Sequence, residues 1–242
     1  MSSNDQINSE SNVNYLKEDL SEIMQYIQEP RLPQRAYHII RTAIRNLKLA
    51  PGKTFLERET AELLGMSRTP IREALVRLQT EGMITLVPRR GFIINPIKKD
   101  DLKEIYEITE SLDGLAVELA TNEITKDELQ HLKELIAQQK ESLSKNNLYN
   151  WSLLDDQFHA DIIKYANNTR LTNVIDIHSD QLYRARLYTI NNRPTPHRSV
   201  TEHQAIIACM EAQNPEAARL GMHSHRKRAL FEILKALEEI ES

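Results

Sequence analysis

The feature that most constrains this chain is a pair of short helical patterns split by one glycine and followed at once by β-prone residues. Glu57 to Leu64 favours helix and ends at Gly65, a natural C-terminal glycine. Ser67 or Thr69 then caps a second helix that runs to about Glu81. Pro70 falls in its first turn, where a missing N–H costs nothing. Gly82 stops that helix, and two β-prone runs, Met83 to Val87 and Phe92 to Asn95, flank Pro88-Arg89-Arg90-Gly91 as a hairpin. Upstream, Gln34 to Leu47 places Ala36, Ile39, Ile40, Ala43, Ile44 and Leu47 on one helical face, and Ala50-Pro51-Gly52-Lys53 makes a turn. Helix, short helix, turn, helix, hairpin is the layout of a winged helix-turn-helix.

The remainder has a different character. Residues 1–14 are polar and read as a disordered tail. Residues 15–29 form an extra amphipathic helix, with Leu16, Leu20, Ile23, Met24 and Ile27 at helical spacing. Pro30 and Pro33 end it and make a stiff connector into a head over residues 31–97. That extra helix has three destinations open to it: the sensor bundle or dimer, the basic head, or solvent. From 98 to 242 the pattern is helical throughout, with breaks near Asn122–Thr125, Ser144–Leu148, Asn167–Thr169, Asn191–Pro196 and Asn214–Pro215. The expectation is an all-α bundle of six helices, each about 17 to 27 residues long. Thr125-Lys126-Asp127-Glu128 has the form of a capping box. The fold class is therefore mainly α.

Charge divides the chain in the same places. The net charge of −4 conceals a head with 14 Lys/Arg against 5 Asp/Glu over residues 31–99. Residues 100–242 carry 16 against 24, and residues 1–30 carry 1 against 6. A basic module on an acidic body suggests a polyanion-binding head. The single cysteine, Cys209, excludes an internal disulfide framework and fits a reducing cytoplasm. No apolar run is long enough for a membrane span, and the start of the chain lacks the form of a signal peptide.

In a helix-turn-helix the second helix turns its N-terminal side chains to base edges, while phosphate contacts set the register. Here that turn carries Ser67, Arg68, Thr69 and Arg72, with Arg68 and Arg72 on one face. Arg58 precedes it, and Arg89, Arg90 and Gly91 form the wing tip, where arginine suits a narrow minor groove. The competing possibility is that these arginines pair with Glu57, Glu59, Glu62 and Glu73. The stretches Leu49-Ala50-Pro51-Gly52, Leu56-Glu57-Arg58-Glu59 and Ala61 to Leu75, with Leu78, Glu81-Gly82 and Arg90-Gly91, resemble the signature of GntR-type regulators. The resemblance implies DNA contacts from Arg58, Ser67, Arg68, Arg72, Arg90 and Gly91, and a homodimer on a pseudo-palindromic operator. One departure is Leu47, where that family often has glycine.

In the helical half, Asp155 and His159 lie four residues apart on one helix face, a spacing that can chelate a divalent ion without bending the backbone. His203 begins a later apolar-faced helix, and His225 sits in the last one. These pieces resemble the FCD-type ligand domain of the FadR subgroup. The resemblance implies that Asp155, His159, His203 and His225 hold a metal, with Zn²⁺, Ni²⁺ or Mn²⁺ suiting one oxygen and three imidazoles. It also implies a small carboxylate effector at that metal and a repressor switched by it. Arg184 and Arg186 are candidates to hold the effector, set against a plain solvated helix face. His223 and Asp156 point away from the site, and His38, His131, His178 and His197 fit no pattern. That subgroup often carries an arginine where this chain has Thr109. Two alternatives remain at this point: a metal-dependent hydrolase or lyase using the same residues, and a DNA-binding protein without a switch.

Overall fold

The structure is a computed structural model that describes residues 20–241. The expected tail over 1–14 lies outside those residues. The chain divides into two compact units, with the boundary between Ile97 and Lys98.

The first described element of the N-terminal unit is a helix over residues 20–26, α1; residues 15–19 of the expected extra helix lie outside the described residues. It continues with α2 (Leu32–Arg45), β1 (Thr54–Phe55), α3 (Glu57–Leu63), α4 (Arg68–Thr80), β2 (Ile84–Val87) and β3 (Gly91–Ile94). Pro33 lies in the first turn of α2 and not in the connector expected of it. Its missing N–H is one that no helix start can satisfy internally, so the ring preorganises the turn. Ser67 holds the N-cap position of α4, yet its side chain makes no capping hydrogen bond. The strand Thr54–Phe55 was not expected. It pairs antiparallel with β3, Thr54 opposite Ile93 and Phe55 opposite Phe92, giving a three-stranded sheet in the order β1-β3-β2. Two residues are too short to show alternation, so nothing in the sequence marks them as strand.

The head's core follows helical and strand periodicity. Ile71, Ala74, Leu75 and Leu78 line the inner face of α4 and meet Ile40 and Ile44 of α2 and Phe92 and Ile94 of β3. Leu20 of α1 joins this cluster, with Ile23, Met24 and Ile27 packed against it, so the extra helix belongs to the head. Tyr37 ties α2 to the end of α4. Its hydroxyl donates to the Glu81 carboxylate at 2.9 Å, and the Arg77 guanidinium lies 3.6 Å over its ring. Burial, opposed by Arg41 and assisted by the Glu81 hydrogen bond, pushes the Tyr37 hydroxyl up to about 12.

The C-terminal unit is the expected six-helix bundle: α5 (Lys99–Glu123), α6 (Lys126–Ser144), α7 (Leu148–Tyr165), α8 (Thr169–Thr189), α9 (His197–Glu211) and α10 (Pro215–Glu241). At 15 residues α9 is shorter than expected, because it ends at Glu211, with Gln213 in the left-handed region at φ +52° and the Asn214 N–H bonded back to the Cys209 carbonyl. The capping box at Thr125 and Glu128 is formed in both directions. Helix α5 packs along α10 and also touches α7 and α8, while α6 packs on α7 and α9. Arg226 of α10 and Asp113 of α5 meet in a buried ion pair at 2.7 Å. Among the described residues no helix is long and apolar enough to cross a membrane.

Leu47 closes α2 in the left-handed region at φ +59°. Its Cβ there crowds the following carbonyl, at a cost of about 1–2 kcal/mol in an L-residue. Leu47→Gly removes that crowding and gives back part of the gain as chain entropy, about 0.5–1 kcal/mol. The expected outcome is a net stabilisation of up to about 1 kcal/mol, read as a higher urea midpoint; a lower midpoint would show that the half-buried leucine contributes more by packing.

Candidate metal centre and nucleic-acid interface

On the head, Arg58, Ser67, Arg68, Thr69, Arg72 and Arg90 are all exposed. Arg68, Thr69 and Arg72 line one shallow cleft on α4 with Glu57, Glu73 and Val76. Arg58 pairs with Glu62 at 3.6 Å, but both side chains are more than half exposed, so the pair is weak and can exchange for phosphate. Gly91 has a role that the sequence did not reveal. It sits at φ +91°, and a Cβ there would meet the Phe55 carbonyl oxygen and Leu56 Cα. The glycine is required by the seam between β1 and β3, whatever else its backbone contacts.

In the bundle, one ligand atom each from His159 of α7, His203 of α9 and His225 of α10 lie within 4.8 Å of one another, and all three residues are buried. Apolar neighbours explain how helix periodicity brings them there: Phe158, Ile162, Ile206, Ile207 and Met222 pack into one core cluster around them. Phe158 stacks on His203 with ring centroids 4.2 Å apart. Burial holds the pKa of His159 and His203 well below the ordinary 6.5, with Arg226 adding to it at both and His225 at His203. His225 is also lowered by burial, against an opposing hydrogen bond to Glu202.

The hydrogen bonds around these rings say which nitrogen is bare. His225 Nδ1 lies 2.8 Å from Glu202 Oε2, and Arg228 Nε donates to the same carboxylate at 2.8 Å. Burial raises Glu202, but hydrogen bonds from His225 and Arg228 outweigh it and leave its pKa at about 2. An ionised carboxylate only accepts, so His225 Nδ1 carries the proton and Nε2 is bare. His203 Nε2 faces His225 Nε2 at 3.4 Å. Both nitrogens of His159 are buried without a hydrogen-bond partner. Two nitrogens on one tetrahedral ion, each at about 2.0–2.1 Å, stand about 3.3 Å apart. The donor set therefore fits a divalent transition ion.

Asp155 differs from the expectation. It is not in the converging group: Oδ1 lies 3.7 Å from His203 Nε2, and Oδ2 lies 3.4 Å from Arg186 Nε. One oxygen of the carboxylate faces the guanidinium and the other faces His203 at the margin of the triad. Arg186 is accordingly no solvated helix face. It is buried, and its guanidinium also donates to Asp156 at 2.9 Å. Burial works against its charge, and Asp155 and Asp156 outweigh that to raise its pKa. Arg184 is buried as well, but its acidic neighbours are Asp101 and Asp180, so it does not join this group. His223 pairs with Glu110 at 2.9 Å, away from the triad. Thr109, at the place of the missing arginine, is buried and donates to the Ile105 carbonyl.

Sequence reading missed several participants. Arg193 donates from its terminal nitrogen to the Arg186 carbonyl, while its Nε is buried without a partner. Burial lowers its pKa, with Tyr106 and Asp155 opposing. The Tyr106 hydroxyl and Asp113 Oδ1 are likewise buried without partners. Arg193 lies in a helix break and Tyr106 in an apolar stripe, so neither carried a signal.

Comparison with known proteins settles the family. The gntR family of bacterial regulatory proteins matches residues 32–94, and the FCD domain matches residues 104–228. The chain belongs to the GntR family of transcriptional regulators, with an FCD domain. It is 36% identical over 134 residues to an HTH-type transcriptional regulator in the TAR-I ttuE-ttuC' intergenic region of Agrobacterium vitis, covering 54% of this chain and 78% of that one. It is 25% identical over 207 residues to the HTH-type transcriptional repressor RspR of Escherichia coli strain K12, covering 86% and 89%. The solved structure of E. coli McbR/YncC shares the fold, with a TM-score of 0.75 at 22% identity over 86% of this chain and 99% of that one. This GntR-family chain is thus a DNA-binding transcription regulator and not an enzyme.

Three buried neutral imidazoles make metal-free stability depend on pH. Each takes up a proton below about 6.5 in the unfolded chain but stays neutral when folded. The unfolded state then binds more protons, so stability is present above pH 6.5 and is lost as pH falls below it. The slope is about 1.4 kcal/mol per pH unit for each imidazole that stays neutral. Urea unfolding of chelator-treated protein between pH 7.5 and 5.5 should show this loss, and His159→Gln should flatten it by the share of one group. Equal slopes in the two proteins would mean that His159 protonates in the folded state.

Proposed function

We propose that this regulator is a homodimeric repressor that holds a divalent metal between α7, α9 and α10 and responds there to a small carboxylate effector. The observation that carries the reading is His159: a fully buried, neutral imidazole with no hydrogen-bond partner, beside two further imidazoles. Burying such groups without compensation costs free energy, and a metal is the partner that satisfies all three. His159, His203 and His225 would hold it, with Asp155 as a fourth ligand once its carboxylate turns from Arg186. Zn²⁺, Ni²⁺ and Mn²⁺ suit these donors, and an ion there supplies open positions for an anionic oxygen.

Arg186 is the effector-binding residue that the geometry favours, with Arg193 Nε and the Tyr106 hydroxyl beside it as buried polar atoms without a hydrogen-bond partner. Arg184 is the weaker candidate. An effector switches DNA binding only if it binds the competent and incompetent states with different affinity. Repression is supported by the likeness to RspR. A homodimer is supported by apolar side chains left exposed on two helices that pack together, Ile108 and Leu115 on α5 and Val174 and Ile177 on α8. On the head, Arg58, Ser67, Arg68, Thr69, Arg72, Arg90 and Gly91 would contact a pseudo-palindromic operator, supported by the exposure of all but the half-buried Gly91 on the basic unit.

Two measurements test this. Metal analysis of the purified protein should find about one divalent ion per chain, and His203→Ala should lose it; metal-free wild type under metal-replete conditions would overturn the centre. Footprinting on the DNA upstream of its own gene should protect a two-fold site, and Arg68→Ala should weaken it by about 1–3 kcal/mol. Absence of a protected two-fold site at moderate salt would overturn the operator reading.

A further inference from the structure

Helix α6 supplies no candidate ligand, yet one of its side chains reaches the centre. Gln139 is fully buried, and its Oε1 lies 3.1 Å from His203 Nδ1. Its Nε2 donates to the carbonyl of Leu154 at 3.2 Å. The second contact decides the first. A backbone carbonyl only accepts, so the amide must turn its nitrogen to Leu154 and its oxygen to His203. An amide oxygen also only accepts, so His203 must present Nδ1–H. With His203 neutral under burial, that single proton leaves Nε2 bare, and Nε2 is the nitrogen that faces His225. A leucine carbonyl on α7 thereby sets the tautomer of a histidine on α9, through a glutamine on α6.

Leu154 is the residue before Asp155, on the helix that also carries His159. One amide therefore spans two helices that bring candidate ligands to the centre. Its other route to satisfaction is closed: with no solvent access, Gln139 has nothing else to bind. His203 is pinned on its flat side as well, by Phe158 at 4.2 Å. Ring plane and tautomer are thus both determined before any ion arrives, which is what a partner to a metal-bound imidazole does. Glu202 plays the equivalent part for His225, but as a carboxylate shared with Arg228 and Arg198 at the edge of the bundle.

We propose that Gln139 is a metal-positioning residue: it fixes His203 as the Nδ1–H tautomer with Nε2 aimed at the centre, and ties α9 to α7 through the Leu154 carbonyl. This inference rests on the metal reading above, so its test includes a readout that needs no metal. Three quantities are measured on full-length wild type, Gln139→Leu and Gln139→Glu. They are Zn²⁺ affinity by competition with a chromophoric chelator, the thermal midpoint of the metal-free protein, and the ¹⁵N imidazole tautomer of His203 in metal-free protein.

Wild type should show His203 protonated at Nδ1. Gln139→Leu should mix the tautomers and weaken Zn²⁺ binding by about 10–100-fold. Gln139→Glu keeps an acceptor oxygen and should recover most of that loss, even if its metal-free midpoint drops as far as that of Gln139→Leu. The proposal is overturned if metal-free wild type carries the His203 proton on Nε2, or if Gln139→Leu binds Zn²⁺ as tightly as wild type. It is overturned equally if both variants lose affinity in step with their thermal midpoints, the mark of a packing role alone. If wild type binds none of Zn²⁺, Ni²⁺ and Mn²⁺, the metal reading fails by itself, while the tautomer still decides whether Gln139 acts on His203. Should Gln139→Leu not fold, the wild-type tautomer and the affinity of Gln139→Glu decide.

Discussion

Three imidazoles taken out of water, with one nitrogen of each within 4.8 Å of the others, are the constraint around which the bundle is built. Each must be kept neutral, and each needs its other nitrogen accounted for. The answers come from different helices: Glu202 and Arg228 for His225, and Gln139 with the Leu154 carbonyl for His203. His159 has no such partner, and Phe158, the residue before it, stacks on His203. The ion pair between Asp113 and Arg226 lies behind, on the two helices with the most extensive packing. Removing one member of such a pair would leave an uncompensated buried charge, so the bundle tolerates little change here.

Much of this was legible in the sequence where local rules decide. Breaks at Asn, Ser and Pro set the six helices, and Thr125 with Glu128 announced the start of α6. The three histidines converge because helical periodicity puts each on the apolar face of its own helix. Illegible features are those that tertiary contact decides. Thr54–Phe55 become a strand only because β3 offers an edge, and Arg186 is buried only because two aspartates compensate it. Asp155 lies one turn from His159 and the resemblance implied a ligand there, but neither says anything of a guanidinium arriving from another helix. Gln139 is one glutamine on a helix rich in them, and only its neighbours distinguish it.

The head shows the opposite balance. Its helices and hairpin follow from pattern and turn chemistry alone, and Arg58, Arg68, Arg72 and Arg90 are exposed as a polyanion-binding surface requires. Its surprises are backbone conformations. Leu47 adopts a conformation that favours glycine, and the helix ends there regardless, because the Leu49 N–H is bonded back to the Ala43 carbonyl.

Gly91 bears on how a regulator of this type diversifies. The strand it begins is clamped between two neighbours, and its missing side chain leaves room for the Phe55 backbone. Just before it, Pro88 and Arg90 are exposed with ordinary backbone, while Arg89 between them sits in the left-handed region at φ +64°. Side chains at Pro88 and Arg90 can thus change without disturbing the sheet, while Gly91 and Arg89 are held by their backbone conformations. On the proposal that the wing reads DNA, its preference would change at Pro88 and Arg90 without reopening the question of how the head folds.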